Sequence, residues 1–232
     1  MSDKKNQEKR TRKKNDLLIV FVKNIILGKV KTRLAKSIGA IGAFKIYSEL
    51  VDITEKATTN ITAGKHIYFS DVIISSKWKG DKKFIQEGKD LGSRMQNAFQ
   101  NGFDEGYENI LLIGSDLPDI SKNIINSAFE KLENNDVVFG PAEDGGYYLI
   151  GLSKMIPSIF ENKPWSQSEL LTVTLAELKT QKKTIGLIET LNDIDTFEDL
   201  ITSDFYKKNL EIQEIVQQNR AIKQKDTETS SA

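Results

Sequence analysis

Residues 109–118 read Asn-Ile-Leu-Leu-Ile-Gly-Ser-Asp-Leu-Pro, an apolar run that leads into a single carboxylate. The run over 109–113 is typical of a strand buried on both faces, and Asp116 follows its carboxyl end. Ligands bind at that edge of open α/β sheets, where an Asp is well placed to hold a metal against a phosphate. Ordering a turn or capping the next helix is the alternative role, but Asp119 and Ser121 are better placed for it. We therefore predict that Asp116 faces a ligand.

Strand and helix patterns alternate on both sides of this segment. Residues 17–22 form a continuous apolar run, whereas 40–56 carry apolar residues mostly three or four apart, as in an amphipathic helix. Further strands are predicted over 66–69, 72–74 (equally a loop), 109–113, 136–139, 147–152 and 184–188. Further helices are predicted from 93 onward and over 121–134, 169–179, 196–201 and 210–218. This alternation predicts the α/β class, a single-domain, mostly parallel sheet flanked by helices.

Composition limits the class of protein further. The chain has 232 residues, 38% of them hydrophobic, and no cysteine, so disulfides and thiolate metal sites are excluded. No apolar run approaches the roughly 18 residues of a membrane span, and no signal-peptide segment is evident, so we expect a cytoplasmic protein. We expect a basic unstructured tail over 1–15, one domain over 16–205, a helix over 206–222 and an unstructured tail over 223–232.

Charge is distributed unevenly along the chain. Residues 1–14 hold seven basic and two acidic side chains out of 33 of each kind, which leaves 26 basic and 31 acidic residues, a net charge of −5. That remainder does not suggest a nucleic-acid surface. The basic tail could touch RNA or anionic lipid, but such a short polar run is more often unstructured.

A basic loop follows the first predicted strand, in the position that cradles phosphates in many nucleotide-binding folds. Its spacing matches neither the Walker A motif nor the dinucleotide fingerprint. Cations, a hydroxyl and exposed backbone N–H groups suit a diphosphate, and a solvated loop is the alternative. The phosphate-binding candidates are Lys23, Lys29, Lys31, Thr32 and Arg33, together with Ser115 beside Asp116.

Two acidic segments lie further along the chain. Glu143-Asp144-Gly145-Gly146 can place a carboxylate in a cleft as a general base or sugar-hydroxyl acceptor, although Asp-Gly is also a hairpin signal. Asp193 and Asp195 precede a predicted helix whose N-cap is Asp195 or Thr196, with Glu198 or Asp199 behind it. For Asp195 capping is favoured over metal binding, whereas for Asp193 a structural role and a metal-ligand role are equally open.

Two further aromatic side chains are candidates for structural or ligand-binding roles. Trp165 could stack on a base or sugar, or simply pack. His66 is the single histidine and lies in an apolar run, so we expect it to be structural.

In this order, the segments resemble a bacterial family with the glycosyltransferase A nucleotide-sugar fold, long catalogued as a domain of unknown function (DUF2064). Some of its members are named arsenosugar-biosynthesis glycosyltransferases. The fold is also similar to that of nucleotidyltransferases that make molybdenum-cofactor dinucleotides. The resemblance spans about 17–200 and departs from the family at Ile25, where a proline usually follows Asn24. It rests on blocks 21–24, 28–35, 90–95, 114–118, 140–152, 165–166, 193–196 and 198–200.

The resemblance implies roles for individual residues. Lys31 and Arg33 would hold phosphates, Asp116 would bind the divalent metal, and Asp144-Gly145-Gly146 would face the acceptor. The resulting hypothesis is a glycosyltransferase that uses Mg²⁺ or Mn²⁺, held by Asp116 and Asp193, to move a sugar from a nucleotide-diphospho-sugar to a small-molecule acceptor. In it Asp144, or second to it Glu143, acts on the acceptor hydroxyl, and Gly145, Gly146 and Trp165 contact the substrate. The alternatives are a nucleotidyltransferase that releases pyrophosphate and a non-catalytic nucleotide-sugar-binding protein.

Overall fold

The structure, a computed structural model, describes residues 15–229, with side chains described as far as residue 222. Within that part of the chain, one seven-stranded sheet runs in the order β3-β2-β1-β4-β6-β5-β7. The strands are β1 (Asp16–Val22), β2 (Gly64–Phe69), β3 (Lys82–Ile85), β4 (Asn109–Ile113), β5 (Val137–Pro141), β6 (Tyr147–Leu152) and β7 (Ile185–Leu187).

All neighbouring strands pair in parallel except around β6, which is antiparallel to both β4 and β5. The predicted α/β class with a mostly parallel sheet is confirmed. Because β6 runs in reverse, its first residue, Tyr147, lies at the edge where β1, β4 and β5 end. That edge therefore collects the loops that follow the parallel strands, including the β5–β6 loop that leads into β6.

Helices cover both faces of the sheet. They are α1 (Thr32–Thr58), α2 (Leu91–Asp104), α3 (Lys122–Leu132), α4 (Leu170–Thr180), α5 (Phe197–Thr202), α6 (Asp204–Lys207) and α7 (Leu210–Thr229), with a short 3-10 turn at Pro157–Ile159. Within residues 15–229, no helix has both the length and the apolar character that crossing a membrane requires.

Alternate residues of β1 enter two separate cores, as expected for a strand buried on both faces. Leu18 and Val20 pack with α1 and α3, whereas Ile19 and Phe21 pack with α2 and α4. A third cluster joins α1 to α5 and α7 through residues such as Leu34, Ile46, Leu200, Ile212 and Val216. The C-terminal helix is thus held against the first helix of the chain.

The structure corrects several predicted boundaries. Helix α1 begins at Thr32 instead of residue 40, with a break at Gly39, whose φ of 76° suits glycine. Residues 72–74 form a loop, the alternative left open for them, and the nearby strand is β3. The pattern missed β3 because this four-residue edge strand begins with two lysines, and charged residues are common on edge strands. Helix α7 continues to Thr229 through residues predicted to be an unstructured tail, since extending an existing helix costs little. The predicted tail over 1–14 and residues 230–232 lie outside the described residues.

His66 is fully buried in β2 and packs between aromatic rings, with centroids 4.9 Å from Phe84 and 5.6 Å from Tyr107. Neither ring nitrogen makes a hydrogen bond within the described chain, and Nε2 lies 3.5 Å from Glu105 Oε2. Burial lowers the pKa of His66 below 6.5; the Glu105 charge opposes this shift and Lys82 adds to it. These contacts give His66 the structural role expected of it.

We predict that His66 makes the fold acid-sensitive. The pKa of His66 is lower in the folded protein than in the unfolded chain. The stability that the neutral ring contributes is therefore fully present above pH 6.5 and is lost as the pH falls below 6.5 toward the native pKa. Denaturant unfolding of wild type and His66→Phe at about pH 7.5 and about pH 5 measures the effect. The wild type should lose more stability than the variant over this interval. If the wild type instead becomes more stable relative to the variant at about pH 5, a protonated His66 forms a stabilising ion pair with Glu105.

Candidate functional site

A cavity of about 410 Å³ opens at the carboxyl edge of β1, β4 and β5. Its lining contains a charged set of side chains, called the charged half below, an apolar set, called the apolar half, and the polar residues Ser166 and Gln167. The charged half consists of Arg33, Asp116, Asp144, Asp193 and Asp195. The apolar half consists of Phe21, Leu91, Met95, Leu112, Tyr147, Ile150, Trp165 and Leu170.

Lys31 and Asp116 form the central ion pair behind the charged half. The Lys31 ammonium lies 3.0 Å from Asp116 Oδ2 and 4.0 Å from Asp195 Oδ1, and only 7% of the lysine side chain is exposed. Burial by itself lowers the pKa of Lys31, but the charges of Asp116, Asp193 and Asp195 outweigh it, so the net shift is upward. Lys31 therefore stays protonated, as a fixed positive charge among three carboxylates.

Arg33 is the exposed cation of the site. Its Nη1 lies 3.1 Å from Asp195 Oδ2, and 67% of its side chain is exposed. Of the two predicted caps for α5, Thr196 is confirmed, in a reciprocal capping box with Asp199, and Asp195 does not cap the helix. Asp195 is instead directed at the basic loop. Since exposed ion pairs are weak, Arg33 can exchange this partner for an incoming anion.

Asp193 lies in a crowded negative environment. Burial raises its pKa to about 6, the charges of Asp116 and Asp144 add to the effect, and Lys31 opposes it. The cavity thus brings together the two carboxylates that the sequence assigns to a metal, Asp116 and Asp193.

The carboxylates in the cavity lining determine which kind of cation the site could hold. No group of three or more His, Asp or Glu residues between 15 and 229 is arranged to hold a metal by itself. Mg²⁺ commonly uses one or two carboxylates and completes its shell with substrate phosphate and water. Asp116 and Asp193 fit a cation of that kind, one that arrives with a phosphate.

Five of the six predicted phosphate ligands lie outside the cavity lining, Lys31 among them. Lys23, Lys29 and Thr32 are exposed, and Ser115 is buried beneath the site. The Ser115 hydroxyl lies 2.9 Å from the Tyr47 hydroxyl. Tyr47 also donates to the Lys23 carbonyl and accepts from the Lys23 N–H, each at 3.0 Å. Ser115 and Tyr47 therefore join the ends of β1 and β4, a structural role that the sequence pattern did not reveal.

The Asp144-Gly145-Gly146 loop is both a tight turn and part of the cavity wall. Asp144 Oδ1 accepts from the Gly146 N–H at 2.8 Å. Gly145 has a φ of 89°, and a Cβ there would lie 1.9 Å from the Ser168 carbonyl oxygen, so this turn requires glycine. Asp144 and Gly146 line the cavity, whereas Glu143 and Gly145 lie outside its lining.

Trp165 packs beside the first turn of α2. A Cβ on Gly92 would lie 2.7 Å from the Trp165 ring and 2.3 Å from the Phe160 carbonyl oxygen. The ring is partly buried and lines the apolar half, so packing and substrate contact are both open to it. The sequence did not single out Phe21, Met95 or Leu112, because their apolar side chains look like ordinary core.

The sheet order, the antiparallel β6 and the cavity at the carboxyl edge define a nucleotide-diphospho-sugar transferase fold. A family model described as "Uncharacterized protein conserved in bacteria (DUF2064)" matches residues 70–167 and confirms the resemblance. A crystal structure from Desulfovibrio desulfuricans G20, described as a "putative nucleotide-diphospho-sugar transferase", is 29% identical with a TM-score of 0.80. The match covers 88% of this chain and 98% of that one.

More distant matches share the fold alone. They include the bifunctional IspDF from Campylobacter jejuni, at 12% identity and a TM-score of 0.54, with coverage of 82% of this chain and 54% of that one. Another is the 4-diphosphocytidyl-2C-methyl-D-erythritolsynthase from Anaerococcus prevotii DSM 20548, at 13% identity and a TM-score of 0.55, with coverage of 84% and 99%. No curated protein matches the chain significantly.

We predict that Asp193→Asn stabilises the protein near neutral pH. An acid whose pKa rises from 3.8 to about 6 on folding destabilises the native state above pH 6, and this penalty disappears below pH 3.8. The variant should gain up to about 3 kcal/mol in unfolding free energy at about pH 7.5 and nothing in strong acid.

The matched control is Glu130→Gln, which removes one negative charge from an exposed position on α3. It should leave stability within about 0.5 kcal/mol of wild type. If both substitutions stabilise the protein equally, the effect is one of overall charge, and the crowding of Asp193 does not account for it.

Proposed function

We propose that the protein is a transferase that uses a nucleotide-diphospho-sugar as donor and passes the sugar to a small-molecule acceptor. The observation that carries this proposal is the arrangement of Lys31 and Arg33 at the start of α1, facing Asp116 and Asp195. Two cations beside two carboxylates suit a diphosphate with a divalent cation. The 29% identical structure, which covers most of this chain, supports the same donor class.

The donor diphosphate is bound by the cations of the first loop. Arg33 leaves Asp195 and forms charge-assisted hydrogen bonds with phosphate oxygens, for which the guanidinium geometry is suited. Lys31 keeps its contact with Asp116 and adds positive potential from behind. Both charges stabilise the leaving diphosphate, on which negative charge develops as the bond to the sugar breaks.

Asp116 and Asp193 would hold a Mg²⁺ or Mn²⁺ ion. When bound, such an ion supplies further electrostatic stabilisation of the diphosphate. It would also relieve the mutual repulsion that contributes to the raised pKa of Asp193. The two negative charges of Asp116 and Asp193 therefore repel each other when no cation is bound, and a bound cation would remove that cost.

Asp144 is the residue proposed to act on the acceptor. It lies in the cavity wall, and its bond to the Gly146 N–H fixes one carboxylate oxygen. A carboxylate has lone pairs beyond that bond, so Asp144 can accept the proton of the acceptor hydroxyl as its oxygen attacks the sugar.

A nucleotidyltransferase remains the closest alternative, since the same cations would suit a triphosphate. In that reaction a phosphate on the acceptor attacks a nucleoside triphosphate and pyrophosphate leaves. Incubation with labelled nucleoside triphosphates and, separately, nucleotide sugars distinguishes the two reactions. Pyrophosphate release without sugar transfer would replace the first proposal with the second. Binding without turnover of either kind would indicate a nucleotide-sugar-binding protein.

We predict that Arg33→Ala weakens binding of nucleoside diphosphates and nucleotide sugars by about 10- to 100-fold. Hydrogen bonds to charged groups contribute roughly 1.5–3 kcal/mol, and Arg33 is the exposed cation in the lining. Thermal-shift titration with and without Mn²⁺ measures the change, because stabilisation follows ligand affinity.

Lys36→Ala is the matched control, since Lys36 is an exposed cation on α1 that does not line the cavity. It should bind nucleotides as tightly as wild type does. If no nucleotide or nucleotide sugar stabilises the wild type, the assignment of the cavity is wrong. If both variants lose the same amount of nucleotide affinity, the effect of Arg33 is one of general electrostatic attraction and not of direct contact.

A further inference from the structure

The segment between β6 and α4 contributes three consecutive residues to the cavity lining, Trp165, Ser166 and Gln167. Ser166 and Gln167 are exposed, and neither side chain makes a hydrogen bond within the part of the chain that the structure describes. The Trp165 ring is partly buried and lines the same cavity. A hydroxyl, a carboxamide and an aromatic ring are therefore open to a ligand at one place.

Contacts on both sides hold this segment in position. Lys163, whose side chain is 4% exposed, pairs with Glu177 on α4. The Ser168 carbonyl packs against Gly145, and the Leu171 N–H donates to the Gly145 carbonyl at 3.0 Å. The segment is thus fixed against α4 and against the β5–β6 loop.

Ser166 has a left-handed backbone conformation, with φ 62°. This conformation is unfavourable for a residue that carries a Cβ atom. No hydrogen bond of the Ser166 side chain compensates for it within the described residues. Backbone strain of this kind is concentrated at active sites and ligand clamps, so it favours a ligand-binding role for the segment.

The three side chains together suit a sugar ring. A pyranose has a face of C–H groups, which packs on an aromatic ring, and hydroxyls around its edge, which need hydrogen-bond partners. The Gln167 carboxamide and the Ser166 hydroxyl can each donate and accept, so each can pair with a sugar hydroxyl. An apolar ligand would cover both groups and leave them unpaired, which is unfavourable.

The position of the segment favours a sugar over a nucleobase, which could also stack on Trp165. Its contacts with Gly145 place it beside Asp144, the residue proposed to act on the acceptor. The acceptor attacks a carbon of the sugar, so the sugar must lie within reach of Asp144. In a nucleotide-diphospho-sugar, the diphosphate separates the nucleoside from that carbon.

We propose that Trp165, Ser166 and Gln167 form a sugar subsite, in which a pyranose packs on the indole ring and its hydroxyls pair with Ser166 and Gln167. The pyranose belongs either to the donor or to a glycoside acceptor, since the recognition chemistry is the same. This subsite rests on the proposed function, because Asp144 and the diphosphate set the place of the sugar in the cavity.

The test compares nucleoside diphosphates with their hexose conjugates by calorimetric titration in the presence of Mn²⁺. UDP, ADP and CDP are each paired with their glucose conjugate, and GDP is paired with GDP-mannose. Gln167→Ala should bind at least one conjugate about three- to tenfold more weakly than wild type does, the effect of one neutral hydrogen bond. Its affinity for the matching diphosphate should be unchanged.

A second titration distinguishes the two sources of the sugar. Methyl α-glucoside and methyl α-mannoside are added to wild type and Gln167→Ala, with and without the diphosphate that binds most tightly. If Gln167→Ala weakens binding of a methyl glycoside but of no conjugate, the subsite holds the acceptor. If it weakens neither, the inference is overturned. A loss for diphosphates as large as that for conjugates also overturns it, because the segment would then contact the nucleoside or the diphosphate.

Two further variants separate sugar binding from structural support. Ser168→Ala is the matched control, since Ser168 is exposed in the same segment and lies outside the cavity lining. It should bind every ligand as wild type does. Ser166→Gly should melt no lower than wild type, because glycine adopts the left-handed conformation without strain, and should bind the sugar ligand more weakly. A Ser166→Gly protein that keeps its full affinity for the sugar ligand would remove Ser166 from the subsite and contradict the proposal.

The same titrations keep the subsite and the proposed function apart. If conjugates bind wild type and Gln167→Ala equally and no methyl glycoside depends on Gln167, the subsite fails and the proposed function stands. If methyl glycosides bind through Gln167 and no nucleotide or conjugate binds, the subsite stands and the proposed function fails.

Discussion

The buried ion pair between Lys31 and Asp116 is the interaction on which the functional edge depends. A lysine side chain that is only 7% exposed keeps its charge because carboxylates surround the ammonium. The pair fixes the start of α1 against the segment after β4, and Lys31 adopts a left-handed conformation, with φ 46°, in order to do so. Such a conformation is unfavourable for a lysine, so the contacts of its side chain must compensate for the backbone.

The reversal of β6 is the second constraint on the site. In a fully parallel sheet, the strand beside β4 would present its carboxyl end at this edge. The antiparallel strand instead presents the turn that precedes it, with Asp144 and Tyr147 near its beginning. An acidic group and an aromatic group therefore enter the cavity from one short connection, next to the carboxylates that follow β4 and β7.

Much of the fold was predictable because burial leaves a strong local signal. The bounds of β4 and β6 match their apolar runs, and Ser121 caps α3 as its sequence indicates. The early start of α1, the edge strand β3 and the full length of α7 were missed. In each of these, pairing or helix extension outweighs a weak local pattern.

Some of the predicted site residues line the cavity and others do not, and their pairings were not predictable. Asp116, Asp144, Asp193, Arg33 and Trp165 do line one cavity. The contact of Arg33 with Asp195 joins residues 162 positions apart, and that of Lys31 with Asp116 joins residues 85 apart. Contacts between residues so far apart in the sequence cannot be predicted from local spacing. For the same reason, the sequence could not show that the hydroxyl of Tyr148 has a partner and that of Tyr147 has none among the described residues.

Helices from both layers contribute residues to the cavity lining. Arg33 lies on α1, in one helical layer, whereas Met95 and Leu170 belong to α2 and α4, in the other. A molecule that fills both halves would contact both helical layers at the carboxyl edge of the sheet and so connect them there. Occupancy would then resist the separation of the layers, and the protein would be mechanically stiffer while it holds both substrates than while it holds either one.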